Sequence, residues 1–297
     1  MAIHLTNKKA KATILPGRGG LLQSLVLTDR EGKARETLYI PENFSENESG
    51  WPGGGAPIMF PFAGRTFHDD RPFMYELNGQ VYNMPLHGFS WAKPWRSVKQ
   101  DAASVTLLQE DDSGTRELFP FSWRQEANYS LQPDKITIDY RVTNLGSLAA
   151  AFAPMPVAVG IHPYFKLDSK DGDALLLCDA NEALQVTPSG AAGKRSPHAH
   201  SGEELKLSEP IYRNLILTGL TAKQAGLKAI STGAVTLLTW SKESPIQYVV
   251  LWRKDEEPFH CIEPWMGLPD AVSNGNGLKT LSKGETLAMQ FEINISG

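Results

Sequence analysis

The chain has 297 residues, is 41% hydrophobic and carries a formal net charge of −4. That length allows one large β domain or two ordinary ones, with apolar residues enough for a sizeable core. The charge balance offers no basic patch for nucleic acid, and no apolar run approaches the ~20 residues of a membrane helix.

Taken from the N-terminus, Met1–Leu5 leads into Lys8, Lys9 and Lys11 with no apolar stretch behind them. No secretory leader is expected, and a cytoplasmic protein is. Short β-like runs then dominate. Ala12–Leu15, Leu21–Thr28 and Ser104–Gln109 are rich in aliphatic and β-branched residues. Arg124–Leu131 and Lys135–Thr143 read as a hairpin turning at Gln132-Pro133-Asp134, with Ile136, Ile138, Tyr140 and Val142 alternating with polar residues. Ala174–Cys178, Leu184–Thr187, Leu215–Leu217, Val235–Trp240 and Ile246–Trp252 follow. In Thr286–Ile295 the side chains of Leu287, Met289, Phe291, Ile293 and Ile295 share one face. Ala222–Lys228 is the best short helical candidate, and the Pro/Gly/Ser/His stretch Thr187–Gly202 reads as a long loop. With 26 glycines and 20 prolines marking turns, the pattern predicts an all-β chain, a large antiparallel β-sandwich, over 1–297 as one domain.

Three separated segments each hold one proton-handling residue in aromatic, Pro/Gly-punctuated company: Leu86-His87-Gly88-Phe89, Ile161-His162-Pro163-Tyr164-Phe165 and Cys261-Ile262-Glu263-Pro264-Trp265. A carboxylate among apolar neighbours is desolvated, which raises its pKa from roughly 4.3 toward that of a useful base. Pro264 is expected to end a strand and leave Glu263 at a sheet rim. An imidazole titrating near pH 6.5 can donate a proton at neutral pH. Taken alone, each is as readily a core histidine bonded to a carbonyl, or a glutamate in an ion pair. Gly88 would let the backbone come close to a ligand, and Trp91 beside it could stack on one. Trp51-Pro52-Gly53-Gly54-Gly55-Ala56-Pro57 is no phosphate cradle, since it lacks GxxxxGK[ST]. Arg65, after Gly64, could clamp a substrate oxygen with its fork of donors.

His198-Ala199-His200, with Glu203 nearby, has the look of a metal-binding HxH. It lies in a polar loop, and a metal-dependent isomerase would rest on it alone. The two cysteines, Cys178 and Cys261, form no CxxC pair, so a zinc ribbon or redox motif is unsupported.

Together and in this order, the Phe60–Arg65 segment, LHGF, HPYF and CIEPW resemble the aldose 1-epimerase (mutarotase) family, from Gly53 to Gly284. The resemblance implies a β-sandwich whose concave face holds a sugar. It makes His162 the general acid and Glu263 the general base, with His87 and Arg65 binding and polarising the substrate, and it calls for no metal or organic cofactor; Trp91 and Trp265 are further candidates to contact the sugar. The acid and base are expected to face opposite sides of the anomeric carbon.

One departure stands out. The family usually carries an aspartate before an apolar strand in the second half, and the nearest segment here, Pro210–Ile216, offers Arg213 or Asn214. An arginine there would suit a sugar bearing phosphate, sulfonate or carboxylate. The alternatives are therefore an epimerase of an anionic sugar and a non-catalytic carbohydrate-binding protein. Specificity candidates also include His68 and Arg71. Either a monomer or a homodimer is compatible with the chain.

Overall fold

A computed structural model describes residues 1–46, 50–147, 154–168, 174–198 and 205–296. The architecture is antiparallel β. One eight-stranded sheet runs, in spatial order, Arg96–Gln100, Ser104–Glu110, Phe121–Leu131, Lys135–Ser147, Thr286–Ser296, Val235–Trp240, Gln224–Ala229 and Ala174–Leu177. Its long central strands follow the sequence alternation: Ile136, Ile138, Tyr140 and Val142, and all five apolar residues of 287–295, are buried. The expected hairpin is present, with Leu131 opposite Ile136.

A second sheet runs Ala192–Pro197, Ala180–Val186, Asn214–Leu220, Tyr248–Trp252, Phe259–Trp265, Gly160–Ile161 and Ile58–Met59, with Tyr164–Lys166 also pairing with Phe259–Trp265. One face of each sheet meets in a common core, where Ile138 and Phe291 join Leu215, Leu217, Val249, Leu251 and Ile262. A four-stranded N-terminal meander, Ile3–Thr6 to Ala34–Glu36, contributes Leu5, Ile14 and Leu25 to the same core. Among the described residues no helix is long and apolar enough to cross a membrane.

Four local expectations are corrected. Gln224–Ala229 is a strand, not a helix. Ala225 and Leu227 share the core face at period two, and a Cβ at Gly226 would meet the Thr236 carbonyl oxygen, so glycine lets the two strands close up. Part of the supposed loop is also a strand: Ala192–Pro197 pairs with Ala180–Val186 at the sheet edge. Its Lys194, Arg195 and Ser196 are all exposed, so an edge strand with little to bury shows no hydrophobic alternation. A short helix, Ser113–Leu118, forms where none was expected, held by a capping box between Asp112 and Thr115. Finally, Pro264 lies inside the Phe259–Trp265 strand, paired with Val249. Ile262 N–H donates to Pro163 O and Met266 N–H to Val159 O, so the missing N–H of Pro264 falls on that same side. The neighbouring ladder is interrupted there by His162-Pro163, and the proline costs no sheet bond.

Candidate active site

Side chains alternate across the second sheet. Leu215, Leu217, Val249, Leu251 and Ile262 go to the sandwich core. Their neighbours Asn214, Ile216, Val250, Trp252, Glu263 and Trp265 go to the opposite face, where they line a cavity of about 300 Å³. The rest of the cavity comes from outside these strands: Trp51, Arg65, Leu86 and His87 from the first third of the chain, His162 and Tyr164, and Val186 and Gly190 from the edge hairpin. Glu263 is thus buried on a face that a sandwich would otherwise leave to solvent.

The His87 loop is fixed by backbone geometry. His87 adopts φ 62° and Gly88 φ 74°, and a Cβ on Gly88 would stand 1.9 Å from the Phe60 carbonyl oxygen. The close approach that glycine permits is therefore to the Phe60 backbone rather than to a ligand. His87 N–H donates to Gly64 O at 3.0 Å, and Gly64 N–H donates back to His87 Nδ1 at 3.1 Å. Because Nδ1 accepts, the proton of the neutral ring sits on Nε2. Burial, helped by the Arg65 charge, pushes the His87 pKa down to about 3. His87 is a neutral ring with a fixed Nε2–H donor.

His162 and Glu263 form the centre of the site. His162 Nε2 lies 3.3 Å from Glu263 Oε1, and Trp265 Nε1–H donates to Glu263 Oε2 at 3.0 Å. Burial holds the Glu263 pKa well above its ordinary value, with the Trp265 hydrogen bond acting the other way. Burial holds His162 well below its own ordinary value, and the nearby His87 adds to this. Nδ1 of His162 is buried without a hydrogen-bond partner, which makes an imidazolium costlier still. Both directions favour a neutral pair, a carboxylic acid beside an imidazole, with one proton held between them. Rings close in around it. Tyr164 stacks on His162 at 4.7 Å, Trp51 lies 5.2 Å from it, and His87 meets it edge-on at 5.2 Å. Trp51 Nε1–H donates to Tyr164 Oη at 2.7 Å.

His162 and Glu263, expected to face opposite sides of the anomeric carbon, sit side by side. Since the anomeric oxygen and the ring oxygen are bonded to the same carbon, adjacent groups reach both. One donor atom each from His162, Cys261 and Glu263 also lie within 4.8 Å of one another, a set that could surround an ion. The Cys261 thiol is pushed well up by burial and by Glu263. It is therefore held protonated, which disfavours the thiolate a soft metal prefers.

The remaining sequence candidates separate clearly. Arg65 reaches the cavity wall, donates from Nη1 to Ser189 O and lies over the Phe73 ring at 5.4 Å. Trp265 lines the cavity. Trp91 stands behind it, edge-on to Trp51 at 5.2 Å, with its Nε1–H bonded to Gly88 O at 2.9 Å. Arg213 is outside the cavity, half-exposed and ion-paired to Asp255 at 2.6 Å, and its neighbour Asn214 lines the cavity instead. The reason is period two: Asn214 opens a strand on the same face as Ile216, whereas Arg213 ends the preceding 3₁₀ turn. His68 is engaged with Asp69 and Glu76, and Arg71 is exposed near Asp69; neither lines the cavity. His198 is buried beside the Tyr212 ring, while His200 and Glu203 lie outside the described residues. Sequence reasoning passed over Trp51, Tyr164 and Trp252 as site residues, although the first stood in the WPGGGAP turn and the second in HPYF.

A family model described as aldose 1-epimerase matches residues 1–294. The solved structure of the Slr1438 protein from Synechocystis sp. PCC 6803 is 26% identical, covers 100% of this chain and 96% of its own, and superposes with a TM-score of 0.86. A galactose mutarotase-like protein from Lactobacillus casei shares the fold at 24% identity, covering 99% and 100%, with a TM-score of 0.81. Among curated proteins, the chromosomal LacX protein of Lactococcus lactis subsp. lactis is 22% identical over 76% of this chain and 78% of its own length.

Proposed function

Because the chain belongs to the aldose 1-epimerase family, we propose that it is a cytoplasmic isomerase interconverting the α and β anomers of a hexose or related sugar. The observation that carries this reading is the His162 Nε2–Glu263 Oε1 contact of 3.3 Å inside a ring-lined cavity. Binding alone needs no acid beside a base.

The chemistry follows from one shared proton. Sugar hydroxyls entering the cavity supply polar contacts that stabilise the charged form of the pair, with the proton on His162 and the negative charge on Glu263. Glu263 then takes the proton of the anomeric hydroxyl while His162 gives its proton to the ring oxygen. The C1–ring-oxygen bond breaks and the carbonyl forms, leaving Glu263 protonated and His162 neutral. That is the form burial favours in the ligand-free site, so the cavity is complementary to the open-chain aldehyde. Rotation about the C1–C2 bond followed by the reverse proton transfers closes the other anomer. His87 Nε2–H and Arg65 serve as donors to substrate oxygens, and Asn214 and Trp265 complete the walls. Each acid or base contribution is worth roughly 10²–10⁴-fold.

The anionic-sugar reading rested on Arg213, which is committed to Asp255 outside the cavity; a neutral sugar is the better match. The test is polarimetry or saturation-transfer NMR on fresh α-anomers of neutral hexoses. Wild type is expected to speed mutarotation, and His162→Ala and Glu263→Gln each to lose at least a hundredfold in kcat, on the scale of one acid or base step, with the fold retained. Variants as fast as wild type would sink the assignment. Treatment with a chelator is expected to leave the rate unchanged.

A further inference from the structure

His162 has to carry a positive charge in a place that offers its ring no second hydrogen bond. Its Nε2 is turned to Glu263 at 3.3 Å, and its Nδ1 is buried with no hydrogen-bond partner among the described residues. An imidazolium whose second N–H finds no acceptor is costly, yet the acid–base cycle requires one at His162. What the ring does have is aromatic neighbours. Tyr164 lies nearly parallel to it, with centroids 4.7 Å apart and an angle of 15°. Trp51 lies 5.2 Å away, and Trp252 meets it edge-on at 6.3 Å.

The sheet register builds this arrangement. Cys261 is opposite Tyr164 on one neighbouring strand and opposite Trp252 on the other. The small Cys261 thus leaves a gap between two large rings, and the His162 ring, in contact with both, fills it. Tyr164 is itself held fast. Trp51 Nε1–H donates to its Oη at 2.7 Å, Phe259 packs on it at 5.0 Å, and the residue is buried. A cation over an aromatic face, within about 6 Å of the ring centroid, is attracted by the ring quadrupole, and more strongly where water is excluded. That attraction acts on the imidazolium far more than on the neutral ring.

Resting on the mutarotase reading, we propose that Tyr164 is a positioning residue for the proton donor: its face stabilises the His162 imidazolium by cation–π attraction and so sets how readily that ring takes up and gives its proton. The hydrogen bond from Trp51 keeps the face in place. The other titratable groups around His162 hold one state near neutral pH. His87, with Arg65 acting on it, stays uncharged, its pKa pushed down to about 3 by burial. Burial holds the Cys261 thiol and the Tyr164 hydroxyl well above their ordinary values. Lys166, on the Tyr164 strand, lines a separate cleft, and neither Trp51–Pro57 nor Tyr248–Trp252 carries a charged side chain. Glu263 alone shares a proton with His162, so the pH at which the substrate complex loses that proton reports on the imidazolium.

The experiment measures the pH profile of kcat for mutarotation of a neutral hexose in wild type, Tyr164→Phe and Tyr164→Leu, with thermal midpoints alongside. Leucine removes the aromatic face, and phenylalanine keeps it. Expected in Tyr164→Leu is a loss of kcat of roughly fivefold to thirtyfold, the span of one desolvated cation–π contact, with the basic limb moved about one pH unit toward acid. The sign follows because a less stable imidazolium loses its proton sooner. Tyr164→Phe is expected to return the limb to its wild-type position. A limb that stays in place in Tyr164→Leu, whatever its kcat, reduces Tyr164 to packing and overturns the proposal, and so does an equal displacement in Tyr164→Phe. Should Tyr164→Leu fail to fold, Tyr164→Met, unbranched and able to fill an irregular gap, gives the same reading. A wild type that mutarotates no neutral hexose overturns the proposed function, and this role with it.

Discussion

The two faces of the second sheet are built from the same strands yet hold opposite chemistries. On the inner face, Leu215, Leu217, Val249, Leu251 and Ile262 are covered by the partner sheet and contribute packing. On the outer face, Ile216, Val250, Glu263 and Trp265 are buried as thoroughly, but their cover comes from loops, the edge hairpin and His162-Pro163. A partner sheet fills space densely and tolerates no unpaired charge. A cover of loops leaves a cavity, and a carboxyl group buried there holds its proton more tightly than one in water. Burial on one face serves packing above all, and on the other it shifts proton affinity beside an open cavity.

Crossed substitutions give the sharpest break of this comparison. Glu263→Gln, on the outer face, is expected to remove at least a hundredfold of kcat, within the range for one acid or base step, while moving the thermal midpoint little. Leu251→Ala, one strand position from the cavity-lining Val250 but on the inner face, is expected to cost about 2–5 kcal/mol of stability, as large-to-small core changes do. Its kcat per folded molecule should stay within twofold. Urea denaturation paired with polarimetry on both variants reads the contrast, and a large kcat loss in Leu251→Ala would erase it.

Removing the His87 donor comes next. His87→Ala is expected to lower kcat/KM roughly tenfold or more, on the scale of a buried hydrogen bond to substrate. The variant should leave the pH profile of the His162–Glu263 pair in place, since the fixed tautomer only donates. A profile displaced by more than one pH unit would mean that His87 exchanges protons itself.

A smaller effect separates His260 from His162. His260 points to the inner face, is fully buried and has its pKa pushed down to about 4 by burial; His87 is pushed to about 3 for the same reason. For both, the unfolded chain takes up a proton first as pH falls. Stability is therefore full above the ordinary value near 6.5 and drains as pH drops toward the folded values, by about 2 kcal/mol per ring between pH 6.5 and 5. The shifts of the His162–Glu263 pair oppose one another in this respect, since burial makes the folded carboxyl hold its proton more tightly and the folded imidazole less tightly. Urea midpoints measured from pH 7.5 to 5 should fall, and His260→Gln should make the fall shallower. An unchanged slope in that variant would place the proton uptake elsewhere. The smallest effect is expected at Arg213, where Ala should change kcat/KM less than twofold, as a half-exposed surface ion pair predicts.

The antiparallel sandwich was legible because period-two alternation survives wherever a strand has one buried face, as in 136–142 and 287–295. It was illegible where a strand buries almost nothing, as in Ala192–Pro197, and where glycine serves strand approach, as at Gly226. In the candidate site, Arg65, His87, His162, Glu263 and Trp265 were legible from short motifs and from resemblance. Arg213 and Asn214 differ by one position, and strand parity, which depends on where the strand begins, decides which of them meets the cavity. Trp51, Tyr164 and Trp252 went unseen because ring clusters assembled from three distant segments leave no local pattern. The opposed placement expected for acid and base also failed, since His162-Pro163 interrupts the ladder directly beside Glu263.

The concentration of indole rings has an optical consequence. Of the seven tryptophans in the chain, Trp51, Trp252 and Trp265 line the cavity, and Trp265 donates its ring N–H to Glu263. Any sugar that settles there displaces solvent from these indoles and alters the polarity they sense. A ligand with no chromophore of its own would thus write its occupancy into the intrinsic emission of the protein.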